Sequence, residues 1–487
     1  MKKFYIICSV IAIGLLISSA VMYNSRIQSK ENQKINFPTL SSNIMEKELN
    51  KEIVADETVN QFSNNLTSLN NLTSKISITN GFEELEAYEE RLCYNKIKSG
   101  CEKILGTVSS AGYYVIAPIT ISDCKLSSGQ IKKVLYALQN DNPEIFWIAN
   151  SFNYMYDNNS TVIKLNSIFS KEEQKKSVEK LNEKVSEIIS KIPNTYSDYE
   201  KELYIHDYII NNCKYSKINM DLKDYNSVNK FRNHSASILH DSMLEHFYYE
   251  NKNIKNSLNS KYFLLRERAK VFTPYGCLVE NSAVCEGYSK AMQILLSAVG
   301  IKCRTVVGAR GSEPHMWNIV QIGGNWYHLD VTWDSSSSLQ KYNYFNIDDD
   351  TVQKDHIINS QPDSKTIWPS DKRYNFTLPT CNSKKDNYFY KNAVKIASLD
   401  SHATNKIIDK LIFLALNKNR YLYIMCDKNM NLENLKKQLF SSGNNKFFSC
   451  IGKSNRRLNQ ECQIDSSRIE YSECKPQNVI SIKINYI

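Results

Sequence analysis

The sequence predicts an α+β protein of about two or three domains, and three observations carry that reading. A stripe of Tyr288, Met292, Leu295, Leu296 and Val299, at spacings of three and four, marks an amphipathic helix that opens on Cys285. Directly after it, β-rich runs at 316–322 and 326–333 flank Gly323-Gly324-Asn325, the pattern of a hairpin. On both sides of this block, helical stripes and two-residue alternation follow one another in separate stretches.

Composition narrows the class. The 487 residues exceed one ordinary core, and 42% hydrophobic content with 30 tyrosines argues for a folded body. The net charge of +10 is spread without a basic block, so it reads as solubility or weak attraction to an anionic surface. No recognition-helix, zinc-finger or RNA-stacking pattern appears, and a nucleic-acid partner is not expected. The 13 cysteines include no C-x-x-C pair, which argues against zinc ribbons and thioredoxin-like chemistry. An odd count leaves at least one thiol unpaired.

In chain order, Lys2-Lys3 precedes an apolar run at 4–23, a signal peptide or a membrane anchor at residues 1–23. The run continues past the small Ser18-Ser19-Ala20 site, which favours the anchor, and either form exports the body. Residues 24–80 are an Asn/Ser/Lys/Thr-rich spacer. An N-terminal α/β region follows at 81–168. It has a helix at 128–139 and a hairpin in which Phe152, Tyr154, Tyr156 and then Thr161, Ile163, Leu165 alternate about Asn158-Asn159. Ser170 with Glu173, and Ser197 with Glu200, are capping boxes that start two helices. The second of these carries His206-Asp207, read as a surface or packing pair. Residues 169–375 form the domain around Cys285, with an insertion at 216–273 in which helices are expected near 238–247 and 262–272. Its His234, His240 and His246 sit six residues apart; each step turns about 600° around a helix, so they cannot share a face as metal ligands. A linker near Thr377 leads to a small α/β domain at 376–487, with helices at 407–416 and 432–440, a strand at 421–425, and alternating Ile480, Ile482, Ile484 and Tyr486.

Chemistry concentrates at 281–334. Asn281 or Ser282 is the expected N-cap, and Gly300 stops the helix. Cys285 therefore lies at the positive end of a helix dipole, a place that can draw a thiol from about 8.5 to roughly 3.5–7.5. His315 opens the first hairpin strand and Asp330 lies in the second. Centring the turn on Gly324 sets Asn318 opposite Asp330, which leaves His315 about 10 Å away along the strand, closable by a bulge or another register. Nucleophile, base and orienting carboxylate can thus converge. His328 shares a strand face with Asp330 and stays open as a bystander or alternative base. Trp317, Trp326 and Trp333 crowd the hairpin, mostly as packing.

The blocks CEGYSKAMQILLSAVGIKCRTVVG, HMWNIV and WYHLDVTWD resemble the transglutaminase-like superfamily, a papain-like thiol fold. The resemblance implies a nucleophile helix packed on an antiparallel sheet. It implies Cys285 as nucleophile, His315 as general base and Asp330 as orienting acid. Tyr215 and Tyr275 resemble the tyrosines that precede the family's nucleophile, so either could donate to an oxyanion. Trp317 is grouped with them as an oxyanion or substrate contact. Tyr344-Phe345-Asn346-Ile347 and Asp355-His356 resemble the family's closing segment, and the wider pattern from DNPEIFW to LPTC resembles bacterial surface proteins. The expected function is an extracytoplasmic thiol acyltransferase or hydrolase that acts on amide bonds of proteins or peptides, envelope components among them, through a thioester. It needs no cofactor and no metal. A catalytically silent surface module of the same fold and a glycan-removing amidase are the alternatives. The 216–273 insertion is a lid over the thioester or a solvated embellishment.

Overall fold

The computed structural model describes residues 80–216, 236–237, 266–358 and 376–487, apart from positions 111, 312, 428, 429, 442 and 444. These all belong to one compact unit, Phe62–Ile487. The apolar run at 4–23, nearly all of the spacer and most of the 216–273 insertion, with its three histidines, lie outside the described residues. Among the described residues no helix is long and apolar enough to cross a membrane.

The first elements are α1 (Asn80–Glu83), α2 (Tyr88–Gly100), β1 (Ile104–Val108), β2 (Tyr114–Ile116), β3 (Ile119–Ile121) and α3 (Ser128–Asp141). Asp141 accepts the backbone amides of Gly81 and Phe82, both at 2.8 Å, and so fastens α1 to the end of α3. The expected hairpin is β4 (Ile148–Asp157) and β5 (Ser160–Ser167), and Asn158 takes φ +53 at its turn. The sheet runs β1-β2-β5-β4-β7, with β7 at Ala236–Ser237 and β3 on β5. Both capping boxes form, so α4 (Lys171–Ser190) starts at Ser170 and α5 (Asp198–Asn212) at Ser197. After α5 come β6 (Lys214–Tyr215), α6 (Pro274–Leu278), β8 (Ser282–Ala283) and α7 (Cys285–Ala298). One apolar core holds Trp147, Phe152, Val178, Leu181, Ile205, Tyr288, Leu295 and Leu329, so the N-terminal sheet, α4, α5 and α7 share it. Each such fully buried large side chain stabilises by about 1.5–3 kcal/mol.

An antiparallel sheet ordered β11-β10-β9-β12 lies against α7, built from β9 (Cys303–Arg310), β10 (Glu313–Ile322), β11 (Asn325–Leu329) and β12 (His356–Ile358). Two hydrogen bonds lock helix to sheet. Ser289 Oγ donates to the Met316 carbonyl at 3.0 Å, and Asn318 Nδ2 donates to the Ser289 carbonyl at 3.0 Å. Between β11 and β12 lie α8 (Val331–Asp334) and α9 (Asp349–Val352). The C-terminal α/β body has α10 (Tyr388–Asn392), α11 (Ser401–Leu416), α12 (Leu432–Phe440) and α13 (Lys446–Asn455). Its sheet is β13-β14-β16-β15, from β13 (Val394–Ile396), β14 (Tyr421–Cys426), β15 (Glu470–Cys474) and β16 (Val479–Lys483). Ile407, Leu411, Leu422, Leu435, Phe447 and Ile482 form its own core.

Three local expectations are corrected. The N-cap of α7 is Val284, with φ −101 and ψ −179 and no side-chain cap, rather than Asn281 or Ser282. The reason is tertiary: Ser282 and Ala283 are drawn into parallel pairing with Lys214 and Tyr215, and Asn281 takes φ +56. The hairpin turn holds two residues, not three. Gly323 and Gly324 have φ +55 and +83, Ile322 pairs with Asn325, and Asn318 therefore faces Leu329 rather than Asp330. A turn with two positive φ values matches the twist of the strands, and only glycine adopts both cheaply. Strand β11 also stops at Leu329, short of the expected 333. Asp330 becomes the N-cap of α8, accepting the amides of Thr332 and Trp333 at 3.1 and 3.2 Å. Capping by an aspartate stabilises a helix start by about 1 kcal/mol, enough to outweigh the β preference of Val331 and Trp333.

Candidate active site

Cys285, His315 and Asp330 come together where the start of α7 meets β10 and α8. Leaving the strand lets Asp330 swing back to His315, so no bulge is needed. His315 Nε2 lies 2.7 Å from Asp330 Oδ2, and Cys285 is near enough to the same imidazole to raise its basicity. All three are buried. Burial alone would lower the basicity of His315; the Asp330 charge and bond, followed by Cys285, overcome it and push the imidazole up to about 10. Burial would likewise raise Asp330, yet His315 and then His356 hold it well below the usual carboxylate range. Val284, as N-cap, offers the start of α7 no side-chain acceptor.

His328 is committed elsewhere. Trp317 Nε1 can only donate, and it donates to His328 Nδ1 at 3.0 Å. The proton of His328 therefore sits on Nε2, 2.8 Å from Asp349 Oδ1. Burial lowers its pKa, and it stands as a neutral support beneath Trp317 rather than a base. Trp317 is buried, with its ring parallel to that of His315 at 5.7 Å and 16°. It stacks against the imidazole. Tyr275 is held in an aromatic cluster, stacked on Phe146 at 5.8 Å and edge-on to Phe169 at 5.9 Å. Tyr215 alone of the three stands at the surface, 50% exposed, with desolvation and then Cys285, Glu313 and Asp330 raising its phenol pKa. Its hydroxyl is a neutral donor at working pH.

Sequence reasoning missed two groups. His356, on β12, places Nε2 3.1 Å from the same Asp330 Oδ2 and Nδ1 2.7 Å from Asp355 Oδ1. The pair His206-Asp207 is buried at the histidine, whose Nε2 meets Asp334 Oδ2 at 3.1 Å. This ties α5 to α8, and Asp334 Oδ1 accepts the Tyr344 amide at 2.9 Å. The Asp355-His356 resemblance was a signal for the first group; a partner 128 residues away left none for the second.

Among the described residues, two groups place three ligand atoms within 4.8 Å of one another: His315, Asp330, His356 and His328, Asp349, Cys381. In the first, both histidine Nε2 atoms already donate to one carboxylate oxygen. In the second, a metal on His328 Nε2 would move the proton to Nδ1, against the Trp317 N–H. Neither donor set fits an ion.

These shifts give a pH dependence of stability. Burial raises Asp141 to about 6, Glu144 and Asp334 to about 7, and Glu202 to about 8. A group whose folded pKa is raised contributes stability below its unfolded pKa and loses it as pH rises through the folded value. The four carboxyls lose theirs between about pH 4 and 8, and His315 loses its share from about 6.5 to 10. Asp330, held low, matters only below about pH 4, and His328 opposes the trend as a single group. The unfolding temperature is expected to be higher near pH 5.5 than near pH 8.5, as a calorimetric pH series would read. A flat or rising trend over that range would contradict the burial of these carboxyls.

Residues 234–331, which include all three central residues, match the family model of the transglutaminase-like superfamily. No curated protein matches the chain. A solved TGase is similar at 14% identity over 44% of this chain and 50% of that one, with a TM-score of 0.21. A candidate cysteine protease from Cytophaga hutchinsonii is similar at 16% identity over 38% and 65%, with a TM-score of 0.18. The chain spans between half and two thirds of the length of those two proteins. The family-model match thus marks a transglutaminase-like domain at residues 234–331 of this chain.

Proposed function

We propose that the chain is a thiol enzyme that cleaves or transfers amide acyl groups of proteins or peptides. The observation that supports this best is one buried imidazole bonded to Asp330 on one nitrogen and close enough to buried Cys285 to feel it. Asp330 keeps a proton on His315, whose imidazole is pushed up to about 10, so His315 is the acid that can serve the leaving amine beside Cys285. Thiolate attack on the amide carbonyl gives a tetrahedral oxyanion. The Cys285 backbone amide at the start of α7 supplies a donor for it, worth about 2.7–4 kcal/mol at such a site. Tyr215 is placed at the surface as a further donor. His315 then gives its proton to the departing amine nitrogen, the C–N bond breaks, and a Cys285 thioester remains. Water or an amine attacks next, losing its proton to His315; the C–S bond breaks and the thiolate returns.

The extracytoplasmic location rests on Lys2-Lys3 ahead of the apolar run. One experiment tests chemistry and location together. Intact cells are treated near pH 6.5 with a membrane-impermeant iodoacetamide, and the alkylated peptides are mapped. Selective modification of Cys285, lost in His315→Ala, is the expected result. Uniform slow modification of several cysteines points to a silent binding module, and Cys285 labelling only after lysis overturns the location.

A further inference from the structure

We propose that His356 is a positioning residue for the triad: it grips the Asp330 oxygen that His315 uses and so fixes the acid towards the base. This rests on the thiol-enzyme reading of the site. Asp330 is held on all sides. Oδ1 accepts two backbone amides, of Thr332 and Trp333, and Oδ2 accepts from both His315 and His356. Without His356 the carboxylate is free to turn about its cap, and the only remaining hold on Oδ2 is His315 itself.

The protonation of His356 follows from its partners. Both nitrogens face carboxylates, Asp330 at 3.1 Å and Asp355 at 2.7 Å, and an ionised carboxylate only accepts. The ring therefore carries both protons and a positive charge, 5.5 Å from the ring of His315. The groups facing it are Asp330, His315, Asp355, Tyr344 and His328, with Arg310 behind Asp355 and Tyr344. Its ring is further boxed by Trp317 and Tyr344, edge-on at 5.0 and 5.2 Å. Asp330 is thus shared between two imidazoliums. The second one holds the acid still and also limits how tightly His315 keeps its proton.

This gives a signature that loss of packing would not produce. Removing the His356 charge takes a cation away from His315, so His315 should hold its proton to higher pH. The full chain carrying His356→Gln, which keeps a donor but no charge, is titrated by histidine-labelled nitrogen NMR, with His315→Ala to assign the signal. The His315 midpoint should rise by roughly one pH unit, the scale of one charge at this range. Alkylation of Cys285 at pH 7 should slow about tenfold to a hundredfold, the usual loss for a group acting through a catalytic partner. Asp355→Asn, which leaves His356 in place with a neutral partner, should move His315 in the same direction by less and serves if His356→Gln does not fold. A His315 midpoint and a Cys285 alkylation rate both unchanged in a folded variant overturn the proposal. Failure of wild-type Cys285 to react selectively would overturn the enzyme reading instead, and the NMR shift still decides whether His356 holds Asp330.

Discussion

Asp330→Asn is expected to lower amide turnover by about four orders of magnitude, close to the complete loss expected of Cys285→Ala. A carboxylate-to-amide change in a comparable triad costs about 10⁴ in kcat. Here the geometry makes the substitution worse than a change of tautomer. Asp330 accepts on both oxygens, two amides on Oδ1 and two imidazoles on Oδ2. An asparagine must turn its NH₂ towards one of these pairs, and either way donors face donors. Flipping the amide does not relieve the conflict. Each buried donor left unpaired costs about 1–3 kcal/mol, and His315 also loses the charge that holds its proton. The measurement is single-turnover acylation of Cys285 beside a thermal melt. Near wild-type acylation would mean that Asp330 caps α8 and does nothing for His315.

What the sequence disclosed follows the range of the interactions. The Ser170–Glu173 and Ser197–Glu200 boxes, the Asn158 turn and the stripe of α7 are local, each set by residues within a few positions, and the structure has them. The start of α7 departs from its local capping signal because a distant strand, β6, claims Ser282 and Ala283. The hairpin register hung on whether Asn325 belonged to the turn. Its pairing with Ile322 decided that, and one residue of slip moves every side chain to the other face. Asp330 looked like a strand residue because Val331 and Trp333 favour strands, although an aspartate before a short polar turn is also a cap signal. The roles of His206, His328 and His356 depend on partners far along the chain or on a tautomer, and no local pattern encodes either. For His328 in particular, only the Trp317 donor decides between base and support, because it fixes the proton on Nε2.

Gly308→Ala is expected to cost about 3 kcal/mol or more of stability and to slow Cys285 alkylation at least tenfold. Gly308 sits in β9 between two strands, paired with His315 on one side and Ile358 on the other. A methyl group there would lie 2.0 Å from the Ile357 carbonyl oxygen and 2.8 and 3.0 Å from two atoms of the Trp317 ring. Neither neighbour yields easily. The carbonyl belongs to the paired backbone of β12, and the ring is fully buried with its N–H committed to His328. Relief therefore pushes β12 outward, carrying His356 away from Asp330, or tilts Trp317 off the imidazole it backs. Both routes reach the triad without touching one of its members. Gly106→Ala is the control: nothing lies within 4 Å of the added carbon, and a change of less than about 0.5 kcal/mol is expected. Denaturant midpoints of the two variants, read with alkylation rates at Cys285, separate the outcomes. A Gly308→Ala midpoint equal to that of Gly106→Ala would mean that the sheet can open at β12 without cost, and that Trp317 is not the rigid backing of His315 described above.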